Sequence, residues 1–156
     1  MVAVIGWVST RRWFGRIAPH VFPPLDRWVN RVSRGRWFVS ELFVPTILLT
    51  TTGARSGEPR STPLACVALA GDAFLVVGSN YGGERHPAWT GNLLAHPEAT
   101  VTTGGRVIPV RATLLAGGER ADAWQAMLAT YPPWDSYARK AGRELRVFRL
   151  VPVDRA

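Results

Sequence analysis

Between Arg60 and Ser79, two extended apolar runs are joined only by Ala70-Gly71-Asp72. A link that short cannot carry a crossover, so the runs must pair side by side and antiparallel. The constraint recurs downstream, where Ala99 to Thr103 and Arg106 to Leu115 flank Gly104-Gly105. Thr46 to Thr52 is β-branched and apolar up to Gly53, and Arg146 to Val151 reads as a last strand. Pro109 lacks an amide proton, so an edge or bulge is expected around it.

Helical patterns sit between these hairpins. His86-Pro87 opens one, with Pro87 in its first position and Trp89, Leu93 and Leu94 as its apolar side, and His96-Pro97 ends it. Another runs from about Glu119 to Thr130, and Trp134 to Ala141 allows a further turn or two. Nearer the start, Leu25, Trp28, Val29 and Val32 recur at i, i+3, i+4 and i+7, with Arg27, Arg31 and Arg34 on the other side. That predicts a short amphipathic helix beginning after Pro23-Pro24 and ending at Gly35. Five or six hairpin strands with helices outside them make a mainly antiparallel, α+β barrel.

A chain of 156 residues, 47% of them hydrophobic, has room for one barrel domain with a real core and is too apolar to be disordered. The single cysteine, Cys66, excludes an intrachain disulfide and a cysteine-based metal cluster, and its place in an apolar strand predicts an inert buried thiol. His20, His86 and His96 lack companion ligands at metal spacing, so no metal site is expected.

The charge of +8 is unevenly placed. Arg11, Arg12, Arg16, Arg27, Arg31, Arg34 and Arg36 face only Asp26 among the first forty residues. An arm over residues 1–40 is therefore distinguished from a barrel over residues 41–156, and its charge suggests an anionic partner. Met1 to Val8 is far shorter than the roughly 20 residues of a membrane span. Trp7, Trp13, Phe14 and Ile17, interleaved with arginines, fit an interfacial helix on the inner face of the cell membrane, or a helix packed on its own domain with its arginines in water. Nucleic acid is disfavoured, because the charge lies outside the barrel and no recognition motif accompanies it.

Three stretches could carry chemistry. In Thr50-Thr51-Thr52-Gly53-Ala54-Arg55-Ser56-Gly57-Glu58-Pro59-Arg60, a strand enters a glycine-punctuated loop. Such a loop can turn backbone N–H groups toward an anion, while Arg55 and Arg60 offer planar forks of donors. The alternative is an ordinary turn with solvated arginines. In Gly78-Ser79-Asn80-Tyr81-Gly82-Gly83-Glu84-Arg85-His86-Pro87-Ala88-Trp89, a strand end, a glycine pair and a helix N-terminus succeed one another, so polar groups could converge on a ring system or a phosphate. Trp89 is either an aromatic wall there or core. In Tyr131-Pro132-Pro133-Trp134-Asp135-Ser136-Tyr137, aromatics at spacing three share one side of a helical turn. They suit a flat acceptor that needs a proton, or they are core.

In this order and separation, over about Pro45 to Pro152, the three stretches resemble the deazaflavin-dependent nitroreductase family of F420-dependent split-barrel proteins. The resemblance implies a split β-barrel of the FMN-binding type with N-terminal helices, and a cytoplasmic reductase that moves a hydride from reduced coenzyme F420 to a quinone, nitro or conjugated enone acceptor. It implies that the phosphate and oligoglutamate tail lie along Ala54, Arg55, Ser56 and Arg60. The deazaflavin would lie near Ser61, Thr62, Pro63, Leu64, Gly78, Ser79, Asn80, Ala88, Trp89 and Asn92. Tyr131, Trp134 and Tyr137 would line the acceptor pocket, with Ser79, Tyr131, Tyr137 or water polarising or protonating the acceptor oxygen. Many relatives have a lysine-glycine pair at Asn80-Tyr81 and a tyrosine at Trp134, departures that bear on acceptor choice. Competing expectations are an FMN-dependent reductase of the same barrel and a non-catalytic carrier of F420, haem or lipid.

Overall fold

Side chains alternate across a strand, and in this chain both sides of one strand are buried, which organises the molecule around two cores. The structure, a computed structural model, describes residues 14–37, 39 and 44–153. Its strands are β1 (Thr46–Thr52), β2 (Pro59–Leu69), β3 (Ala73–Val77), β4 (Glu98–Thr103), β5 (Arg106–Leu114) and β6 (Val147–Pro152). They close into a barrel in the order β1-β2-β3-β6-β5-β4, with antiparallel pairing throughout. The helices are α1 (Phe14–Val32), α2 (Ala88–Ala95), α3 (Gly117–Thr130) and α4 (Pro133–Ala141).

Inside the barrel, Ile47, Leu49, Cys66, Phe74, Val76, Val101, Val110, Phe148 and Leu150 meet, joined from α2 by Trp89 and Leu93. The intervening residues of β3, Leu75 and Val77, point the other way and with Val147 build a second core against Met127 of α3 and Trp134, Tyr137 and Ala141 of α4. Each large apolar side chain removed from water in this way contributes roughly 1.5–3 kcal/mol. Helix α2 thus closes one end of the barrel, while α3 and α4 cover its β3 and β6 flank.

Three expectations about local structure change. The first helix does not begin after Pro23-Pro24 but spans Phe14–Val32, prolines included. The prolines lack the amide protons that would serve the carbonyls one turn earlier, so contacts of α1 with β2 and the turn after β3, rather than local preference, hold it as one helix. Pro87 caps α2 from outside, in extended geometry, instead of occupying its first turn. Pro109 is on no edge, since the barrel is closed. It lies opposite Thr100 of β4 and just beyond the β5–β6 register, which ends at Val110 opposite Pro152, and its carbonyl accepts from the Val153 N–H at 3.0 Å. Met1 to Trp13, including Trp7 and Trp13, lie outside the described residues.

Candidate functional site

The β1–β2 loop is built by its glycines. The Gly53 N–H donates to Glu58 O at 2.8 Å and the Gly57 N–H to Gly53 O at 2.9 Å. A Cβ on Gly53 would stand 2.4 Å from Ser56 Oγ, and Gly57 has a φ of +70°, so the tight fold of the loop needs glycine at both places. Ser56 Oγ accepts from the Glu58 N–H at 3.2 Å. The N–H groups of Arg55 and Ser56 have no partner among the described residues, and Arg55 and Arg60 are exposed.

Asn92 of α2 fastens that loop to the barrel end. Its Oδ1 accepts from the Ala54 N–H at 2.9 Å, and its Nδ2 donates to Thr51 Oγ1 at 3.0 Å. Thr51 Oγ1 in turn reaches Arg60 O at 3.5 Å. Both ends of the buried Asn92 amide are therefore occupied within the chain.

The β3–α2 segment meets the same helix at Thr90. Gly78 backs onto Thr90 so closely that a Cβ would stand 2.7 Å from Thr90 Cγ2. Beyond it Asn80 and Tyr81, at φ 47° and 53°, adopt the left-handed region in succession, a conformation costly for non-glycine residues and concentrated at functional sites. One guanidinium holds them there. Arg143 follows the left-handed Gly142 that ends α4, and it donates to Gly78 O (3.2 Å), Gly83 O (3.2 Å), Arg85 O (3.0 Å) and Ser79 O (3.5 Å). Its Nη1 also lies 3.1 Å from His86 Nδ1. Burial, with the charges of Arg146 and Arg143 behind it, pushes the His86 imidazole below its usual value and favours the neutral form that can accept there. Arg146 donates to Thr90 Oγ1 at 3.1 Å. Ser79 Oγ makes no hydrogen bond among the described residues, and the Ser79 side chain is half-buried.

The arginines divide by place. Arg106, Arg111, Arg120, Arg139 and Arg149 pair with Asp72, Glu98, Glu144, Asp135 and Glu119. Arg55, Arg60, Arg85, Arg143 and Arg146, gathered around α2 and its neighbouring loops, have no carboxylate partner among the described residues. Glu58 and Glu84 stand in the same loops but pair with none of these arginines, so cations outnumber acids there, which suits an anion.

The expected aromatic set is brought together, but much of it is core. Trp134 is 2% and Tyr137 5% exposed within the second core, and the Trp134 ring meets Tyr131 edge-on at 5.3 Å. Tyr131, half-buried, places its hydroxyl 3.5 Å from that of Tyr137. Trp89, 4% exposed, packs on Phe148 at 5.8 Å inside the barrel. Its ring serves as core, the plainer of the two expectations for it. Ser61 to Leu64 are half-buried on β2, with Ser61 Oγ 2.8 Å from Thr50 Oγ1 and Leu64 against the barrel core. Ala88 is exposed at the start of α2, and Asn80 turns its Nδ2 to Arg85 O at 3.2 Å.

Four residues take part that the sequence did not mark as site residues: Tyr81, Asp26, Arg143 and Arg146. The Tyr81 ring meets Tyr137 at 6.2 Å, and burial, then Asp26, then Tyr131 push its phenol up to about 12, so it stays protonated at neutral pH. Asp26 arrives from α1, and Arg143 stands 57 residues from His86 in sequence, so no spacing rule joins them; a glycine followed by an arginine, Gly142-Arg143, was the one local signal.

Residues 27–152 match the family model of F420H(2)-dependent quinone reductases. An F420H(2)-dependent quinone reductase of Mycobacterium tuberculosis is 43% identical over 68 residues, 44% of this chain and 45% of the relative, so the chain spans about half the length of the relatives it matches in this way. A second M. tuberculosis relative is 31% identical over 109 residues, 70% of this chain and 91% of its own. Among solved structures, an F420-H2 dependent reductase (FDR-A) superposes with a TM-score of 0.63 at 37% identity, covering 68% of this chain and 93% of that one.

Proposed function

Because the chain belongs to the F420H(2)-dependent quinone reductase family, we propose that it passes a hydride from reduced coenzyme F420 to a quinone, nitro or conjugated enone acceptor at the α2 end of its barrel. The observation that carries this reading is the excess of arginines around α2 that no described carboxylate pairs with, beside the open N–H groups of Arg55 and Ser56. That donor set fits a coenzyme with a polyanionic tail. Arg55, Arg60 and Ser56 would hold the tail, with Ala54 fixed for them by Asn92.

When bound, the coenzyme supplies the hydride. The chain supplies placement and protons. The Ser61 to Leu64 stretch of β2, Gly78, Asn80 and Ala88 would border the ring, with Trp89 shaping the site from the core behind it. Ser79 Oγ, uncommitted within the described chain, can donate a hydrogen bond to the acceptor oxygen, and Tyr131 Oη, in reach of Tyr137 Oη, can donate the proton. Trp134 and Tyr137 back Tyr131 from the second core and exclude water on that side.

We further divide the chain into an arm of residues 1–40 and a barrel domain of residues 41–156, and place it in the cytoplasm at the inner face of the cell membrane. Supporting the placement are the arm's cationic charge and the apolar character of quinone acceptors.

The test is an acceptor panel of menadione, a nitroimidazole and a conjugated enone, followed by loss of reduced-F420 absorbance, with NADPH and reduced FMN as control donors. Turnover with reduced F420 alone is expected. Preference for reduced FMN, or tight F420 binding with no turnover of any acceptor, would overturn the reading in favour of a flavin enzyme or a carrier.

A further inference from the structure

The turn after β3 spends a costly backbone conformation on a tyrosine. Asn80 and Tyr81 are consecutive left-handed residues, at φ 47° and 53°, and a glycine in place of Tyr81 would make the same turn without that cost. The turn is nevertheless tightly fastened. The Gly82 and Gly83 N–H groups donate to Ser79 O and Asn80 O, each at 2.9 Å, and Arg143 grips Ser79 O before Tyr81 and Gly83 O after it. Gly82 lies flat on α4, where a Cβ would stand 3.0 Å from Lys140 Cδ and 3.2 Å from Tyr137 O. With both flanks fixed, the Tyr81 ring is held against α4 rather than turned into solvent.

What the ring meets there is the aromatic group on the acceptor side. Tyr81 and Tyr131, both half-buried, approach the same Tyr137 ring, with centroids 6.2 and 6.5 Å from it. Tyr137 itself and Trp134 are enclosed in the second core. An aromatic that serves only as core is enclosed as those two are, whereas Tyr81 and Tyr131 each keep an open side. Behind the turn, α1 packs against it and brings the buried Asp26 within electrostatic reach of the Tyr81 phenol, so the space on that side is filled. The strained position is thus kept for a ring that stands, clamped, at the rim of the Tyr131 and Tyr137 hydroxyls.

We propose that Tyr81 is a specificity-determining residue, whose ring bounds the acceptor chamber beside Tyr131 and admits narrow flat acceptors while excluding those with bulky substituents. The inference rests on the acceptor site proposed above and adds a wall from the turn after β3, an element outside the Tyr131 to Tyr137 stretch. Bulk rather than the hydroxyl carries the effect, since a wall discriminates by the volume it denies to the wrong partner. A purely structural ring predicts a different pattern, in which its loss depresses every acceptor alike.

Full-length protein is given menadione and a cyclohexyl-substituted analogue of it, and two quantities are followed: turnover with reduced F420 and, without coenzyme, quenching of tryptophan fluorescence by the bound quinone. Tyr81→Gly and Tyr81→Asn both remove the ring and suit a left-handed backbone, and circular dichroism checks their fold. In both variants kcat/KM for the bulky quinone relative to menadione should rise about tenfold or more. Relative binding should move the same way, with F420 affinity retained. Tyr81→Phe keeps the bulk and should keep the wild-type ratio in both measurements. Ratios unchanged in Tyr81→Gly and Tyr81→Asn overturn the proposal, even where turnover of both quinones falls together. A Tyr81→Phe ratio equal to that of Tyr81→Gly assigns the discrimination to the hydroxyl and overturns it as well. If the wild type turns over neither quinone but the binding ratio still shifts in the variants, the hydride chemistry fails and the wall stands. If the wild type neither binds nor turns over either quinone, both fail.

Discussion

Arg60 shows how far one residue can be taken. Its carbonyl is tied to Asn92 through Thr51, which fixes the backbone, while its guanidinium is exposed and has no acid partner among the described residues. Replacing it with alanine should leave the fold intact and weaken F420 binding roughly tenfold, the loss of one charge-assisted contact. Lysine should recover only part of the affinity, since the charge returns without the fork. Fluorescence titration decides the matter, and an unchanged affinity would remove Arg60 from the tail groove. Arg55 and Arg60 were legible in the sequence because glycine punctuation and a basic residue at a strand start are local signals. Trp89 and Trp134 were not resolved by sequence, because a large aromatic at helical spacing serves a core and a pocket equally well. Which one it serves depends on what the barrel puts opposite, here Phe148 for Trp89 and the second core for Trp134.

Elements meet at two contacts that local sequence does not announce. Helix α2 approaches β3 through the missing side chain of Gly78, with Thr90 Cγ2 at 2.7 Å from where a Cβ would stand. Gly78→Ala should therefore cost about 1–3 kcal/mol, since Thr90 is fully buried and its hydroxyl is held by Pro87 O and Arg146. Adding Thr90→Ser removes the obstructing methyl and keeps the hydroxyl, so the double variant should be more stable than Gly78→Ala in urea unfolding; equal midpoints would contradict the packing argument. At the other contact, Arg143 joins the end of α4 to the turn after β3, and His86 Nδ1 is among its partners. The His86 pKa lies below its usual 6.5 in the folded chain. Above pH 6.5 the neutral ring is common to folded and unfolded forms, and the contact contributes fully. As the pH falls below 6.5 the unfolded chain takes up a proton that the folded chain resists, so stability declines toward the lower folded midpoint. Proton NMR of the imidazole should give that lower midpoint, and His86→Gln should flatten the stability profile in this window; a midpoint at or above 6.5 would refute the arrangement. Strand positions were legible almost throughout, because short links and period-two patterning leave little freedom. The length and orientation of α1 were not, because Pro23-Pro24 argues for a break, and because its inward face is chosen by Tyr81 and its surroundings, far along the chain.

On the scale of the whole molecule, charge and closure dominate. A formal +8, concentrated in the arm and around α2, makes anion binding sensitive to ionic strength. Screening shortens from about 10 Å at 0.1 M salt to about 3 Å at 1 M, so F420 affinity should fall several-fold over that range, with a shallower slope in Arg60→Ala; titrations that do not respond to salt would argue against an electropositive groove. The barrel architecture could be read from hairpins alone, but closure itself, with β4 returning to pair with β1, depends on a long-range ladder that no local pattern encodes. Closure also isolates Cys66, the chain's single thiol, 2% exposed on the inner side of β2. A thiol reagent can reach it only while the staves part, so under native conditions its labelling rate becomes a stopwatch for spontaneous opening of the ring, running undisturbed while coenzyme or lipid is added.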